Sequence, residues 1–512
     1  MNKSNTIFLK LTTFIVGICS ILYELLISTS SSYFLGNSVL QFSIIIGFYL
    51  ASMGVGSYMS RWIQSNKYDA FILIEIILGL VGAFSVPLIY IYFAYADYTG
   101  FQFFVLLIIS IIGILTGLEV PLLTHLLENE NKENENLSDV LTYDYLGALI
   151  ATLAFPFLLI PFMGLYKSSL LVGTINIVVA ALVLLKFKDR LKTKFMTSHV
   201  VKIVFLTIFV LMSGMFLLAH QFLNRWNNVI FKHPVVYHTE SKYQDIVVTQ
   251  NRNEMRLYLN GAIQFSSRDE YRYHEALAHP AMQSLHSRKN ILVLGGGEGL
   301  LVRELLKYNE LVTIDLVDLD EKIVDMAKTF EPLVELNNHA FEDPRVTVHI
   351  DDAFKFLKSD STYYDLIICD LPDPTTESLA RLYSNAFYHL AGSRLRNNGI
   401  FVTQATSPDL TPKAFWCIDQ TLKDSGFLYT YPYHINVPSF GEWGFIMASR
   451  QPISLRIGNE IPLRFLSEDM LPAMQFFSID IRQQGILPNY LDQPILLEYY
   501  LEHYRQLSNE QR

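Results

Sequence analysis

The first 223 residues carry seven apolar stretches, each close to the ~20 residues that a helix needs to cross a bilayer. Over the whole chain 51% of the residues are apolar, which is too high for an ordinary soluble protein of 512 residues. The sequence therefore predicts a multi-span α-helical membrane domain over residues 1–223, placed in the cell membrane. The stretches are residues 9–30, 39–59, 70–93, 101–127, 140–160, 168–185 and 203–222.

Charge and cysteine content limit the partners of the chain. Basic residues crowd the loop at residues 186–194, which predicts that this loop faces the cytoplasm. The net charge of −10 argues against a nucleic-acid binder. Cys19, Cys369 and Cys417 are far apart and lack any paired spacing, so neither a disulfide framework nor a metal site is expected.

A soluble region follows the apolar stretches. Residues 235–280 alternate polar and apolar positions and turn at Asn260-Gly261, which predicts a small antiparallel β unit. Residues 281–455 combine short strands with amphipathic helical stretches, the pattern of an α/β, doubly wound parallel sheet. Residues 456–512 predict a helical tail without assigned chemistry. The predicted strands of the sheet are residues 291–294, 312–317, 346–350, 366–369, 400–403, 427–431 and 443–448.

A glycine-rich turn follows the first of these strands. Gly295 and Gly297, with Gly296 and Gly299, let the backbone turn tightly and approach a ligand closely. Asp318 ends the next strand, where a carboxylate can accept hydrogen bonds from both ribose hydroxyls. The alternatives are a purely structural turn and, for the acid, a helix N-cap, which Asp320 can also supply. Together the two features favour a nucleoside site.

Two acidic motifs follow later strands. Asp351-Asp352-Ala353 either places a carboxylate near an adenine amino group or caps the next helix, and the sequence leaves both open. Asp370-Leu371-Pro372-Asp373-Pro374 sets two carboxylates between rigid prolines, which favours an acidic pocket over a simple Asp-Pro turn. An alkylamine, with a pKa near ~10, must lose a proton before it attacks carbon. A partly desolvated carboxylate can bind that cation and then act as the base.

Other polar residues allow both structural and functional interpretations. Tyr243-Gln244-Asp245 and Tyr273-His274-Glu275 lie in and just after the β unit, where they would cover the sheet edge or serve as ordinary surface and core residues. Glu75 and Glu119 lie inside apolar stretches. A charge there is buried against other helices or functional, and the sequence leaves helix packing and substrate passage equally open.

These motifs resemble the spermidine synthase family of polyamine aminopropyltransferases, and in particular its bacterial members fused to a membrane-spanning N-terminus. The resemblance covers residues 235–450 densely and the apolar stretches more loosely. The matching motifs are Tyr243-Gln244-Asp245-Ile246, Asn260-Gly261 with Gln264, Arg268-Asp269-Glu270, Tyr273-His274-Glu275, the glycine loop, Asp318, Asp352, and residues 370–374, 407–416 and 438–445.

The resemblance implies a methyltransferase-like Rossmann domain and a transferase activity. The enzyme would move the 3-aminopropyl group of decarboxylated S-adenosylmethionine, a co-substrate and not a bound cofactor, to putrescine or a related amine, releasing methylthioadenosine. Asp370 would be the catalytic proton acceptor. The residues expected at the nucleoside are Gln244, Asp318, Asp352, Ala353, Gly295 and Gly297, and those expected at the polyamine are His274, Glu298, Asp370, Asp373, Tyr273 and Glu442.

The chain departs from the family pattern at several of these positions. Glu298 stands where the glycine loop commonly has aspartate, and Ala353 stands where glycine is usual. Phe440 lacks a tyrosine hydroxyl that often meets the acceptor amine, and Glu442 is expected to replace that contact. These changes bear on which amine is accepted.

Two alternatives to aminopropyl transfer come from different classes. The same sheet and glycine loop serve methyltransferases that use intact S-adenosylmethionine, and the chain can also be a non-catalytic polyamine-binding membrane protein. Glu298 favours the decarboxylated donor, because its carboxylate attracts the donor ammonium and repels the extra carboxylate of the intact form. Seven spans with the basic loop inside would put the soluble region outside, but both presumed substrates are made in the cytosol, so a cytoplasmic catalytic domain is expected. The resemblance also suggests a homodimer.

Overall fold

The computed structural model describes residues 3–35, 38–93, 95, 98–130, 136–193, 196, 198–219, 221–223, 231, 233–458 and 460–510. Lys194, in the basic loop, lies outside the described residues. The chain forms two compact units, Met1–Lys232 and His233–Arg512.

Long apolar helices make up the N-terminal unit. Six helical stretches in its described residues are long and apolar enough to cross a membrane, against seven predicted. The numbers differ because the fifth and sixth predicted segments join in one stretch, Asn136–Lys186, through a π-helical turn at Phe155–Leu159. The helices are α1 (Lys3–Leu35), α2 (Ser38–Met59), α3 (Lys67–Phe93), α4 (Tyr98–Glu130), α5 (Asn136–Ala154), α6 (Ile160–Lys186) and α7 (His199–Leu217).

The joined stretch turns back on itself. Gly164 has φ 66° and ψ 179°, which interrupts the helix near the start of α6. The stretch begins beside the start of α1, where Lys10 and Asp139 form an ion pair of 2.7 Å. It also ends there, because the Lys186 ammonium donates a hydrogen bond of 3.2 Å to the Ser4 hydroxyl. Helices α5 and α6 therefore run in opposite directions.

The C-terminal unit opens with a four-stranded antiparallel sheet in the order β1-β2-β3-β4. The turn predicted at Asn260-Gly261 joins β3 to β4, and both residues have positive φ, 50° and 79°. Asparagine and glycine tolerate this backbone conformation better than other residues. The strands are β1 (Val235–Glu240), β2 (Asp245–Asn251), β3 (Glu254–Leu259) and β4 (Ala262–Ser266).

A seven-stranded sheet in the order β10-β11-β9-β8-β5-β6-β7 forms the core of the described C-terminal unit, which confirms the α/β fold. Strands β5 to β9 pair in parallel, whereas β11 runs in the opposite direction and pairs antiparallel with both β9 and β10. The sequence predicts a wholly parallel sheet. Only residues 438–440 join β10 to β11, which is too few for the crossover that a parallel pair needs. The strands are β5 (Asn290–Gly295), β6 (Thr313–Asp318), β7 (Val346–Ile350), β8 (Tyr364–Asp370), β9 (Leu395–Gln404), β10 (Tyr429–Val437) and β11 (Gly441–Ser449).

Helices cover both faces of this sheet and bury its apolar strands in two clusters. The chain leaves β5 for β6 on one side, while β8 lies on the other side, so a crevice opens at the carboxyl ends of β5 and β8. The helices are α8 (Glu270–Ser284), α9 (Leu300–Leu305), α10 (Glu321–Thr329), α11 (Glu331–Leu336), α12 (Ala353–Ser359), α13 (Glu377–Ala380), α14 (Asn385–Ser393) and α15 (Pro412–Asp424).

The C-terminal tail differs from the helical tail predicted for residues 456–512. Its described residues form a 3₁₀ turn at Glu468–Met470, a short helix α16 (Leu471–Met474) and one longer helix α17 (Ile495–Glu510). The extended part is held by tertiary contacts, since the Glu275 carboxylate accepts hydrogen bonds from the backbone N–H of residues 464, 465 and 466 at 2.7, 2.9 and 3.1 Å. Prolines 462, 488 and 494 also disfavour helix there.

Candidate active site

The glycine loop brings the end of β5 against the end of β8. Gly295 pairs with Asp370 in the sheet register, and a Cβ on Gly295 would lie 2.1 Å from the Asp370 carbonyl oxygen. The φ of Gly295 is 85° and that of Gly296 is 69°, values that favour glycine. This close approach sets the Asp370 side chain beside the loop, since a Cβ on Gly296 would lie 3.1 Å from Asp370 Oδ2.

Asp318 lies at the end of β6 and faces the same loop. Its Oδ2 accepts a hydrogen bond of 3.0 Å from Gly297 N, and its Oδ1 accepts one of 2.8 Å from Asp320 N. Burial raises the pKa of Asp318 to about 7, with the charge of Glu298 adding to the rise and the backbone hydrogen bonds opposing it. The N-cap role belongs to Asp320, which accepts from Lys322 N at 3.1 Å.

Two other predicted nucleoside residues take different positions at this edge. Gln244 Nε2 donates a hydrogen bond of 2.9 Å to Asp320 Oδ2, so this side chain lies close to Asp318. Asp352 caps α12 by accepting from Lys355 N at 3.0 Å, and it also pairs with Arg381. Of the two alternatives for Asp352, the structure displays the cap, and the contact of Asp352 and buried Ala353 with adenine stays a prediction.

Asp370 has a tyrosine as its hydrogen-bond partner. The Tyr273 hydroxyl donates to Asp370 Oδ1 at 2.6 Å. Burial raises the pKa of Asp370 to about 6, and the negative charge of Glu298 adds to this, while the charge of His274 and the Tyr273 hydrogen bond oppose it. A carboxylate with such a pKa is ionised at neutral pH yet basic enough to take a proton.

His274 is buried between two carboxylates. Its Nδ1 donates to Glu270 Oε2 at 2.8 Å, and its Nε2 lies 3.5 Å from Glu298 Oε1. Burial lowers the pKa of His274, but the hydrogen bonds of Glu270 and Glu298 and the charges of Glu270 and Asp370 outweigh that effect and raise it to about 10. Glu270 is neutralised in turn by two hydrogen bonds from Arg303, of 3.0 and 2.9 Å. The imidazole is therefore a cation at neutral pH.

His274, Glu298 and Asp370 place their ligand atoms within 4.8 Å of one another, a spacing that can hold a metal ion. A metal ligand must be a neutral imidazole with a free lone pair. Protonated His274 has no free lone pair, because both of its nitrogens carry a proton and face the carboxylates of Glu270 and Glu298. The remaining acceptors, on Glu298 and Asp370, suit an ammonium group, which supplies only hydrogen-bond donors.

Asp373 lies in the turn after β8 and is held by two side chains. Its Oδ2 accepts a hydrogen bond of 2.8 Å from the Tyr500 hydroxyl, and its Oδ1 accepts one of 3.3 Å from Gln404 Nε2. Burial raises the pKa of Asp373 to about 6, and both hydrogen bonds oppose the rise. The Tyr383 hydroxyl fixes the turn itself by donating to the Leu371 and Pro372 carbonyl oxygens at 3.1 and 3.0 Å.

Comparison with known proteins decides the family. The spermine/spermidine synthase domain matches residues 270–456. Polyamine aminopropyltransferase 2 of Ralstonia nicotianae is 40% identical, with 98% of this chain and 99% of that protein covered. The polyamine aminopropyltransferase of Leptospira interrogans is 39% identical, with 96% and 97% covered. The chain belongs to the polyamine aminopropyltransferase family.

Membership confirms the resemblance and the transferase activity expected from it. A polyamine aminopropyltransferase transfers an aminopropyl group, with decarboxylated S-adenosylmethionine as the co-substrate, and this decides against the methyltransferase and non-catalytic alternatives. Among solved structures, a spermidine synthase in complex with the transition state analogue AdoDATO is similar with a TM-score of 0.45 and 23% identity. That likeness covers 48% of this chain and 86% of the other.

Within this aminopropyltransferase, the partners of the Glu442 carboxylate among the described residues lie outside the group formed by His274, Glu298 and Asp370. Its carboxylate pairs with His434 and accepts a hydrogen bond of 3.4 Å from Asn436 Nδ2. The Phe440 ring lies 6.1 Å from the Tyr273 ring, between centroids. The expected contact of Glu442 with the polyamine therefore stays a prediction.

Several residues that support the site are not predicted as site residues from the sequence. Glu270 has a local signal that predicts it, because it lies four residues before His274 on a helix. Arg303, Gln404, Tyr383 and Tyr500 have no such signal, since each reaches its partner across the fold.

Proposed function

We propose that this enzyme moves the 3-aminopropyl group of decarboxylated S-adenosylmethionine to putrescine or a related primary amine. In this proposal Asp318 and Gln244 hold the nucleoside at the glycine loop, with Gly295, Gly297, Asp352 and Ala353 completing its contacts. Asp370 is the proton acceptor. The acceptor amine is bound by Glu298, Asp373, Tyr273 and Glu442, and protonated His274 contributes by holding the Glu298 carboxylate in place.

The observation that carries the proposal is the position and acidity of Asp370. Its carboxylate lies beside the glycine loop, its pKa is raised to about 6, and the Glu298 carboxylate is close to it. Two neighbouring acids attract an alkylammonium ion, and Asp370 removes one proton from it.

The transfer then needs no further reactant. The neutral amine nitrogen attacks the methylene carbon beside the sulfonium, a C–N bond forms, and the C–S bond breaks. The electron pair of that bond goes to sulfur, which leaves as neutral methylthioadenosine, while the proton stays on Asp370 until solvent removes it. Orientation of the two substrates supplies much of the rate enhancement, because the sulfonium is already a good leaving group.

We further propose that the N-terminal unit is embedded in the cell membrane and that the catalytic unit is cytoplasmic. The apolar helices support the first point. The cytosolic origin of both presumed substrates supports the second point. It requires that one of the helical stretches does not cross the bilayer, because seven crossings from a cytoplasmic basic end would leave the end of α7 outside. Protease accessibility in intact cells tests the second point, and chemical cross-linking of the full-length protein tests the homodimer that the resemblance suggests.

A product assay tests the function. Full-length protein in detergent micelles is incubated with the decarboxylated donor and a panel of primary amines, and products are identified by mass spectrometry. We expect one methylthioadenosine for each aminopropylated amine. Methyl transfer from intact S-adenosylmethionine, or donor binding without methylthioadenosine release from any amine, contradicts the proposal.

A further inference from the structure

Two glutamates lie in the interior of the N-terminal helical unit. The exposed fraction of Glu75 on α3 is 0% and that of Glu119 on α4 is 2%. At 1.5 Å per residue, Glu75 lies about 12 Å from the start of α3 and Glu119 about 16 Å from the end of α4. These helix ends adjoin, since the Tyr68 hydroxyl donates to Glu130 Oε1 at 3.2 Å. Both carboxyls are therefore near the middle of a ~30 Å hydrocarbon layer.

Other buried polar groups surround this pair. Tyr23 on α1 is fully buried and lies within electrostatic range of both carboxyl groups. Asn176 on α6 is also fully buried. It lies at the level of Gly79, because a Cβ on Gly79 would lie 2.9 Å from both the Gly173 carbonyl oxygen and the Ile177 side chain. We call Tyr23, Glu75 and Glu119 the buried cluster, and Asn176 lies at its edge, at the level of Gly79, one helical turn beyond Glu75 on α3.

The polar atoms of the buried cluster lack partners. Apart from the contact between the two carboxyl groups, no described residue hydrogen-bonds to either oxygen of Glu75 or to Glu119 Oε1. Among the described residues, the Tyr23 hydroxyl and both amide atoms of Asn176 are also without a partner. Each unpaired polar group in an apolar interior carries a desolvation cost that no hydrogen bond offsets. Helix packing alone gives no reason to keep them.

We propose that the buried cluster binds the primary ammonium group of an alkyl polyamine. An ammonium group offers three hydrogen-bond donors, while the two carboxylates and the phenol of the buried cluster all offer acceptors. The positive charge offsets the repulsion between two carboxylates, and the methylene chain of the ligand suits the apolar helices around the cluster. The choice of ligand rests on the proposed function, because acceptor and product of that reaction are polyamines.

Binding of radiolabelled spermidine to the full-length protein in detergent micelles tests the site. We expect a second saturable component beside binding at the catalytic unit. The double variant Glu75→Gln, Glu119→Gln should lose this component while it keeps methylthioadenosine release. Glu24→Gln is the matched control, since it removes an acidic group from α1 outside the cluster, and it should keep both. An unchanged isotherm in the double variant overturns the proposal.

A second measurement uses the unmodified protein, so it does not depend on the folding of a variant. A hydrophobic carbodiimide modifies carboxyl groups in apolar surroundings, and mass spectrometry gives the rate at Glu75 and Glu119. Spermidine at ten times its Kd should slow this labelling about tenfold. Equal rates overturn the proposal, and so does equal protection by Na⁺ or K⁺, which would make the cluster a metal-ion site. Failure of the proposed function gives a different result: methylthioadenosine is not released, but spermidine still protects Glu75 and Glu119 from labelling.

Discussion

Tyr500 and Asp373 lie 127 residues apart in the chain, and the Tyr500 hydroxyl donates a hydrogen bond of 2.8 Å to Asp373 Oδ2. Tyr500 lies on α17, which is also tied to α15 by an ion pair of 2.8 Å between Lys413 and Glu502. The C-terminal helix therefore holds one of the two aspartates that the sequence analysis places at the polyamine.

Tyr500→Phe should weaken binding of the acceptor amine. Loss of the hydroxyl removes a hydrogen bond that lowers the pKa of Asp373, so that carboxyl becomes a poorer anion and a poorer anchor. A hydrogen bond to a charged group contributes about 1.5–3 kcal/mol, so KM for the amine should rise at least about tenfold, with a smaller change in kcat. Steady-state kinetics with varied amine measure both.

The control is Tyr490→Phe, which loses a hydrogen bond of 3.0 Å to Asp424 and leaves Asp373 untouched. Its KM should match that of the unmodified enzyme. If Tyr500→Phe gives the same KM as this control, Asp373 is not an amine anchor.

Asp370→Asn should abolish most of the turnover and spare donor binding. The amide keeps the shape of the carboxyl but cannot take a proton, and general-base catalysis contributes about 10²–10⁴-fold to a rate. Methylthioadenosine release gives the rate, and calorimetry gives the Kd of the donor. Asp360→Asn removes a carboxylate before β8, outside the site, and should retain full activity. Full activity in Asp370→Asn would contradict the proposal that Asp370 is the proton acceptor.

The rate should fall in acid as Asp370 becomes protonated. Only the ionised carboxylate takes the proton, and the pKa of Asp370 is about 6, so kcat/KM should decrease as pH falls through about 6. Tyr273→Phe removes a hydrogen bond that lowers this pKa, and the acid limb of the profile should move to higher pH. A pH profile of kcat/KM for both proteins checks the direction.

Tyr433→Phe serves as the control for that shift. It also removes a buried hydroxyl, one that donates to the Ala276 carbonyl oxygen at 2.9 Å and not to Asp370. Its acid limb should coincide with that of the unmodified enzyme. If the acid limb of Tyr273→Phe also coincides with that of the unmodified enzyme, a group other than Asp370 controls the rate.

Much of the sheet and its acidic edge follows from local sequence. The apolar runs from Ile291 and Leu366 are too short for helices and end in glycine or aspartate, so their periodicity predicts β5 and β8. Parallel strands bring their carboxyl ends to one edge, which is why Asp318 and Asp370 can be placed near the glycine loop without coordinates.

The remaining features depend on contacts between distant segments. Arg303 reaches Glu270 across 33 residues, and the tail stays extended because the Glu275 carboxylate binds its backbone. The π-helical turn joins two predicted segments into one stretch, although hydropathy separates them, and Gly164 interrupts the helix just beyond that turn. No periodicity or propensity contains this information, because each feature is decided by tertiary packing.

Alkaline pH should destabilise the catalytic unit through His274. The folded-state pKa of His274 is about 10, above its ordinary value of 6.5, so its cation stabilises the fold fully below about pH 6.5. This contribution is lost as pH rises through about 10. The melting temperature of the full-length protein should therefore fall over that window, and less steeply in His274→Gln. His389→Gln, outside this chain of ion pairs, should keep the slope of the unmodified protein.

Arg303→Met should destabilise the same network at neutral pH. It leaves the Glu270 carboxylate, 1% exposed, without its bidentate partner, and removing one member of a buried ion pair costs about 3–5 kcal/mol. Arg288→Met is the matched control, because its partner Glu460 is 61% exposed and such a pair contributes about 0–1 kcal/mol. Chemical unfolding followed by tryptophan fluorescence compares the two, and equal midpoints would show that Arg303 does not support Glu270.

Glu298→Gln should reduce the preference for the decarboxylated donor. Glu298 lies beside Asp370, and its carboxylate pairs with the His274 cation. Its negative charge attracts the donor ammonium and repels the extra carboxylate of intact S-adenosylmethionine. The neutral amide neither attracts the ammonium nor repels the carboxylate. The ratio of the Kd of intact S-adenosylmethionine to the Kd of the decarboxylated donor should therefore fall about tenfold, equivalent to 1.4 kcal/mol. Glu298→Asp keeps the charge and should keep the preference. A ratio that stays unchanged in Glu298→Gln means that discrimination arises from the shape of the pocket.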